Sequence, residues 1–132
     1  SLDLGLQLYA KADLLAFQNK NTQAIDTLQK VIINYKGQKI EDEALFKQAK
    51  LFAKINQFEK AINNYNQIIT LDKEGVFVDD SIYQIAEIYR SKLNNTEKAS
   101  EYYQKIIFEH PSSIYLVDAR KRYRELRGDI VN

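Results

Sequence analysis

An all-α fold, built from three helix hairpins and a terminal helix, is what this 132-residue sequence predicts. Three observations lead there. Ala12, Ala49 and Ala86 recur every 37 residues. Each has an aliphatic residue four places before it (Leu8, Leu45, Ile82) and a large apolar one three places after it (Leu15, Phe52, Tyr89). Proline, which breaks helices, occurs only once, at Pro111.

Each 37-residue unit reads as two helices. Apolar positions at three- and four-residue steps share one face of a 3.6-residue helix. A second small residue follows twelve or thirteen places on, at Ala24, Ala61 and Ala99. The same steps then lead to Leu28, Tyr65 and Tyr103, and to Val31, Ile68 and Ile106. Small side chains belong where two helix axes approach closely. One hairpin cannot cover both of its faces, so successive units must stack and share a core. The expected helices span about 3–19, 22–36, 41–55, 58–72, 79–93, 96–109 and 113–127.

The punctuation agrees. Asn56-Gln57-Phe58-Glu59 and Asn94-Asn95-Thr96-Glu97 read as N-caps with a carboxylate three residues on; Asn21-Thr22 holds the equivalent place of the first unit without that carboxylate. Gly37 and Gly75 fall after second helices, where a left-handed residue closes the last turn. Pro111 stops the third second helix, Ser112 or Ser113 caps the next, and Gly128 follows the last.

With this order of large, small and aromatic positions (Leu8, Ala12, Leu15, then Ala24, Leu28, Val31, and so on), the chain resembles the tetratricopeptide repeat family over nearly its whole length. The resemblance implies a right-handed α-solenoid, with repeats at about 5–41, 42–78 and 79–112 and a capping helix at about 113–127. There are departures. The family's near-terminal proline is present only as Pro111, and Lys36 and Lys73 hold that place in the other units. The period of 37 exceeds the family's usual 34 or so, which means longer connections between repeats. His110-Pro111-Ser112-Ser113, before a helix carrying Ala119, is similar to bacterial cell-envelope members, the outer-membrane assembly lipoproteins and periplasmic Tol-Pal coordinators. That narrower likeness implies the periplasmic side of a bacterial envelope.

What the resemblance implies for function is a non-catalytic scaffold or adaptor that holds a partner protein or peptide and needs no cofactor. In such a stack the first helices line a concave face. Residues following the buried anchors then project at one per repeat: Tyr9, Phe46 and Tyr83, with Leu116 in the analogous place of the terminal helix. Rigid rings of this kind suit peptide contact, although they can equally pack between neighbouring first helices. One turn further on are Asp13, Lys50 and Glu87, then Phe17, Lys54 and Arg90; Glu43 and Asp80 lie one turn below the rings. Lys50 set between Asp13 and Glu87 would make inter-repeat ion pairs instead of a ligand contact. The clamp by which some relatives hold a chaperone's carboxyl terminus needs lysine and asparagine where this chain has Tyr9 and Asp13.

Two ends stand out. Arg120, Lys121, Arg122, Arg124 and Arg127 hold four of the five arginines. They suit a helix C-terminus and a polar cap, or else a basic patch for an acidic partner or lipid headgroups; Tyr115, Ala119 and Tyr123 would be the buried side. At the other end Leu2, Leu4 and Leu6 open the chain without a polar helix before them. There is no methionine, and Ser1 begins inside the apolar pattern, which predicts a C-terminal fragment of a longer repeat protein. Self-association through that edge is the alternative. The chain would then be a structural or oligomerising end segment of a scaffold.

Composition removes other classes. Nineteen basic residues against eighteen acidic ones leave a net charge of +1, which argues against nucleic acid or anionic membrane as the main ligand. Without cysteine there is no disulfide framework or thiolate metal site. No apolar run approaches the ~20 residues a bilayer span needs. His110 has no partner at triad or metal spacing. Asp79-Asp80 and Glu41-Asp42-Glu43 suit helix N-termini, and lack calcium-loop spacing. Asn94-Asn95-Thr96 matches a glycosylation sequon, which capping explains as well. Neither a phosphate loop nor a convergent polar cluster for a small-molecule substrate is recognisable.

Overall fold

The computed structural model of the chain describes residues 2–128, with side chains from residue 3 onward. Among the described residues there are seven helices and no strand: α1 (Leu2–Phe17), α2 (Asn21–Asn34), α3 (Lys39–Lys54), α4 (Phe58–Leu71), α5 (Val78–Ser91), α6 (Thr96–Glu109) and α7 (Leu116–Arg127). This is the all-α helical-repeat fold that the 37-residue period predicts. The chain divides into two compact units, Ser1–Leu71 with α1 to α4 and Asp72–Asn132 with α5 to α7. In the first, α1 packs on α2, α2 on α3 and α3 on α4, and α1 touches α3 lightly. In the second, α5 packs on α6 and α6 on α7.

The repeated alanines do what their size demands. Ala12, Ala24, Ala49, Ala61, Ala86 and Ala99 are all 0% exposed, so no larger side chain would fit without parting two helices. Leu28, Val31, Tyr65, Ile68, Tyr103 and Ile106 fill the space beside them and are buried. Each such side chain contributes about 1.5–3 kcal/mol relative to leaving it in water. Equivalence in sequence is not equivalence in environment, however. Leu45 and Ile82 are buried, whereas Leu8 and Leu15 are only half-buried. α3 lies between α2 and α4, and α1 has no such pair of neighbours in its unit.

Polar atoms fasten α2, α3 and α4 to one another. The buried Gln48 amide donates to Ile25 O (3.1 Å) and Gln29 Oε1 (3.0 Å) on α2. Its carbonyl accepts from Asn64 Nδ2 on α4 at 2.8 Å, and the same Asn64 amide donates to Leu45 O at 3.2 Å. Two amides thus bind three helices, and each polar group removed from water is satisfied. Gly5 of α1 meets Tyr35, the residue just after α2, and an added Cβ there would lie 3.1 Å from Tyr35 Cζ.

The turns correct several expectations. Asn56 and Asn94 do not act as N-caps. With Asn19 they are left-handed (φ 62°, 63° and 51° for Asn19, Asn56 and Asn94) and close the preceding first helices. After α1, Lys20 N–H donates to Leu15 O at 2.8 Å and Asn19 N–H to Ala16 O at 2.9 Å. Gln57 to Phe52 and Asn56 to Ala53 repeat that pair after α3. This paired pattern closes a helix around one left-handed residue, and asparagine tolerates the conformation better than other residues with a Cβ. The extra residue of the third turn separates the two tasks: Asn94 closes α5, and Asn95 Oδ1 caps α6 by accepting from Lys98 N at 3.0 Å. Gly37 (φ 80°) and Gly128 (φ 85°) are left-handed as expected. Gly75 is not, and instead closes a turn with its N–H on Asp72 O at 3.0 Å. Ser113 does not start the last helix either. Its hydroxyl accepts from Tyr115 N in a preceding turn, and α7 begins at Leu116.

Candidate partner-binding surface

Four of the expected contact residues come together in the first unit. Asp13 and Phe17, with Leu14 and Ala16, form the α1 wall of a cleft of about 650 Å³. Lys50 and Lys54, with Lys47 and Leu51, form the α3 wall. Phe17 is 89% exposed. The carboxylate of Asp13 is met by Lys47 Nζ at 3.1 Å, and not by Lys50 as the sequence suggested. Lys50 instead lies over the Phe46 ring, 5.0 Å from its centroid. Lys50 and Lys54 have no carboxylate within ion-pair distance among the described residues. Tyr9 is half-buried, and its hydroxyl pKa is raised by burial, then by the Asp13 and Glu43 carboxylates. Asp13 and Glu43 thus stand near Tyr9, while Lys50 and Lys54 line the cleft with Phe17. Phe46 departs from the expected ladder. It is only 8% exposed and meets Tyr65 of α4 edge-on at 5.8 Å, so its ring belongs to the core.

The counterparts in the second unit all have partners within that unit. Tyr83 stacks on Tyr115 (centroids 4.4 Å apart, planes 13° apart), and its hydroxyl donates to Asp118. Arg90 donates two bonds to Glu87, at 2.9 and 3.3 Å, and one to the Tyr103 hydroxyl at 3.1 Å. The buried Tyr103 in turn donates to Glu87. Burial, then the Asp80 hydrogen bond, pushes the Tyr115 pKa up to about 12. Tyr83 and Tyr103 are raised further, by burial first and then by hydrogen bonds to Asp118 and Glu87. Leu116 sits half-buried at the first position of α7. Reading at fixed period misses Lys47 and Asp118, and gives Tyr103 only as a core position. Lys47, Lys50 and Lys54 do share one stripe at helical spacing, a signal available in the sequence.

Elsewhere the side chains are more ordinary. Arg120, Lys121, Arg124 and Arg127 are exposed, while Arg122 pairs with Glu125 at 3.2 Å. The Arg127 guanidinium lies over Tyr123 at 5.2 Å, and Ala119 is the buried residue of that helix. Leu4 and Leu6 are exposed; the side chain of Leu2 lies outside the described residues. A second cleft of about 370 Å³ is lined by Lys36 and Glu41 together with Asn63, Asn66, Gln67, Thr70 and Leu71 of α4. Among the described residues no three of His, Cys, Asp and Glu are placed to hold a metal ion, and no helix is long and apolar enough to cross a membrane.

No curated protein matches the chain. Three stretches match the family model described as Tetratricopeptide repeat: residues 8–37, 43–73 and 80–113. Each stretch covers one helix pair, α1–α2, α3–α4 and α5–α6, with the buried alanines in register. Since the three together take in most of the sequence, the chain belongs to the tetratricopeptide repeat family.

Proposed function

We propose that this chain is a non-catalytic interaction module that holds a peptide or helix of a partner protein against the concave side of its first helices. Family membership supports the coarser part, because these repeats in general mediate protein–protein interaction without catalysis. The observation that carries the finer part is the α1/α3 cleft. It combines an aromatic ring left 89% in water with two lysines lacking carboxylate partners among the described residues. An aromatic ring beside an apolar floor becomes an anchor when a partner covers it, and lysines at the rim add charge complementarity. Tyr83, Glu87 and Arg90 belong to the second unit, where hydrogen bonds hold each of them in place. The test begins with peptides selected from a displayed random library against the chain. Their footprint is mapped by amide hydrogen exchange, and binding is remeasured with Phe17→Ala and Lys54→Ala. Protection on α1 and α3, with at least about fivefold weaker binding in each variant, is expected. A footprint elsewhere, insensitive to both, would sink the cleft assignment.

A second reading is favoured by one observation. Leu4, Leu6, Leu14 and Phe17 leave α1 with exposed apolar side chains, as in an end segment that oligomerises or joins a longer scaffold. Sedimentation separates the two: this reading expects a dimer that Leu6→Glu converts to monomer. The bacterial-envelope compartment rests on the His110–Ser113 segment and Ala119 alone, and fractionation of the source cells tests it.

A further inference from the structure

We infer that the α1/α3 cleft selects an acidic partner segment, in extended conformation, with carboxylates two residues apart around an apolar residue. The inference rests on the proposal above and names the partner's chemistry. Three lysines and one aspartate line the cleft. Lys47 is engaged by Asp13, which leaves Lys50 and Lys54 as the cations without carboxylate partners there. Lys54 in the last turn of α3 also offsets the helix dipole. Lys50 stands a turn earlier, where that explanation weakens. Four residues of helix rise about 6 Å, so Lys50 and Lys54 leave α3 one turn apart, and their flexible stems can carry the two ammonium groups to anions at about that spacing once Lys50 lifts off the Phe46 ring. Alternate side chains of an extended peptide are about 6.6 Å apart on one face. Acidic residues at i and i+2 therefore match the α3 wall. The residue between them points the other way, toward Leu14 and Phe17 on the α1 wall. A helical ligand would present its matching carboxylates at i and i+4 instead. Single-stranded nucleic acid offers comparable charge spacing, yet Asp13 and the apolar Leu14 and Leu51 suit a peptide better.

The test uses fluorescence anisotropy at low salt with nine-residue labelled peptides, Ser/Gly-flanked, carrying Asp-Leu-Asp, Asn-Leu-Asn or Asp-Asp-Leu at the centre. An oligothymidylate is run beside them. Asp-Leu-Asp is expected to bind at least about tenfold more tightly than the other three probes. Lys50→Glu/Lys54→Glu should weaken it by about tenfold, in keeping with two exposed charge contacts reversed. That variant should instead take up a Lys-Leu-Lys peptide. Both lysines are exposed, so the helical circular dichroism should be unchanged. Equal binding of Asn-Leu-Asn or Asp-Asp-Leu, tighter binding of the oligonucleotide, or no effect of the double reversal overturns the inference. The outcomes also separate the two proposals. A library-selected peptide that tolerates the double reversal but is lost with Phe17→Ala removes the acidic spacing and leaves the cleft. One that tolerates both changes removes the cleft as well.

Discussion

Three asparagines carry the turns inside the repeats, and each works by backbone shape. Asn19, Asn56 and Asn94 take left-handed φ values that cost an ordinary L residue about 1–2 kcal/mol. Asn56→Val is therefore expected to destabilise the chain by about 1–2 kcal/mol in urea unfolding. Asn56→Gly should be neutral or stabilising by up to about 1 kcal/mol, since glycine has no Cβ to strain. If these residues were N-caps, glycine would instead be mildly harmful and valine little worse than alanine. The sequence held the clue, because Asn19 and Asn56 stand 37 residues apart as the alanines do. Reading each asparagine with the helix after it, and not the one before it, hid that register.

At the level of helices, two polar assemblies hold neighbours in place. In the first unit, Gln48→Leu removes the acceptor of Asn64 and the donor to Ile25 O, which should cost about 2 kcal/mol. Adding Asn64→Leu should cost less than the sum of the single changes, because the second loses a group already left unsatisfied. A strictly additive cycle in denaturant titrations would show that the two amides act separately. In the second unit the raised tyrosine pKa values give a pH dependence with a definite sign. A phenol that ionises near pH 10 when unfolded, and higher when folded, favours the fold in its neutral form. Its contribution is whole below about pH 10 and is lost as pH climbs through the folded values, toward about 12 for Tyr115. Melting temperature should thus fall from about pH 10 upward, alongside phenolate absorbance. Tyr83→Phe should flatten the slope, since it removes the group bonded to Asp118.

Over the whole molecule, the repeated spacing made the fold legible before any coordinates. Six alanines in register fix where helices touch, and little else can satisfy so many close approaches. The candidate site was only partly legible. Asp13, Phe17, Lys50 and Lys54 meet as their periodic positions require. Phe46 does not behave like Tyr9, although the two are 37 residues apart, because α3 has close neighbours on two sides. Pairings such as Tyr83 with Asp118 or Lys47 with Asp13 depend on side-chain reach across helices, which a one-dimensional period does not encode.

Gly5 gives the cleft a control point some distance from it. Replacing a helical glycine by alanine ordinarily stabilises by about 1 kcal/mol. Here the new methyl would press on a Tyr35 ring that is itself buried, at 3.1 Å. Gly5→Ala would thus act as a shim under one end of α1, tilting the helix that forms a wall of the cleft. The change should forfeit most of the usual gain in melting temperature and alter affinity for the proposed cleft peptide, although Gly5 is not among the residues that line the cleft.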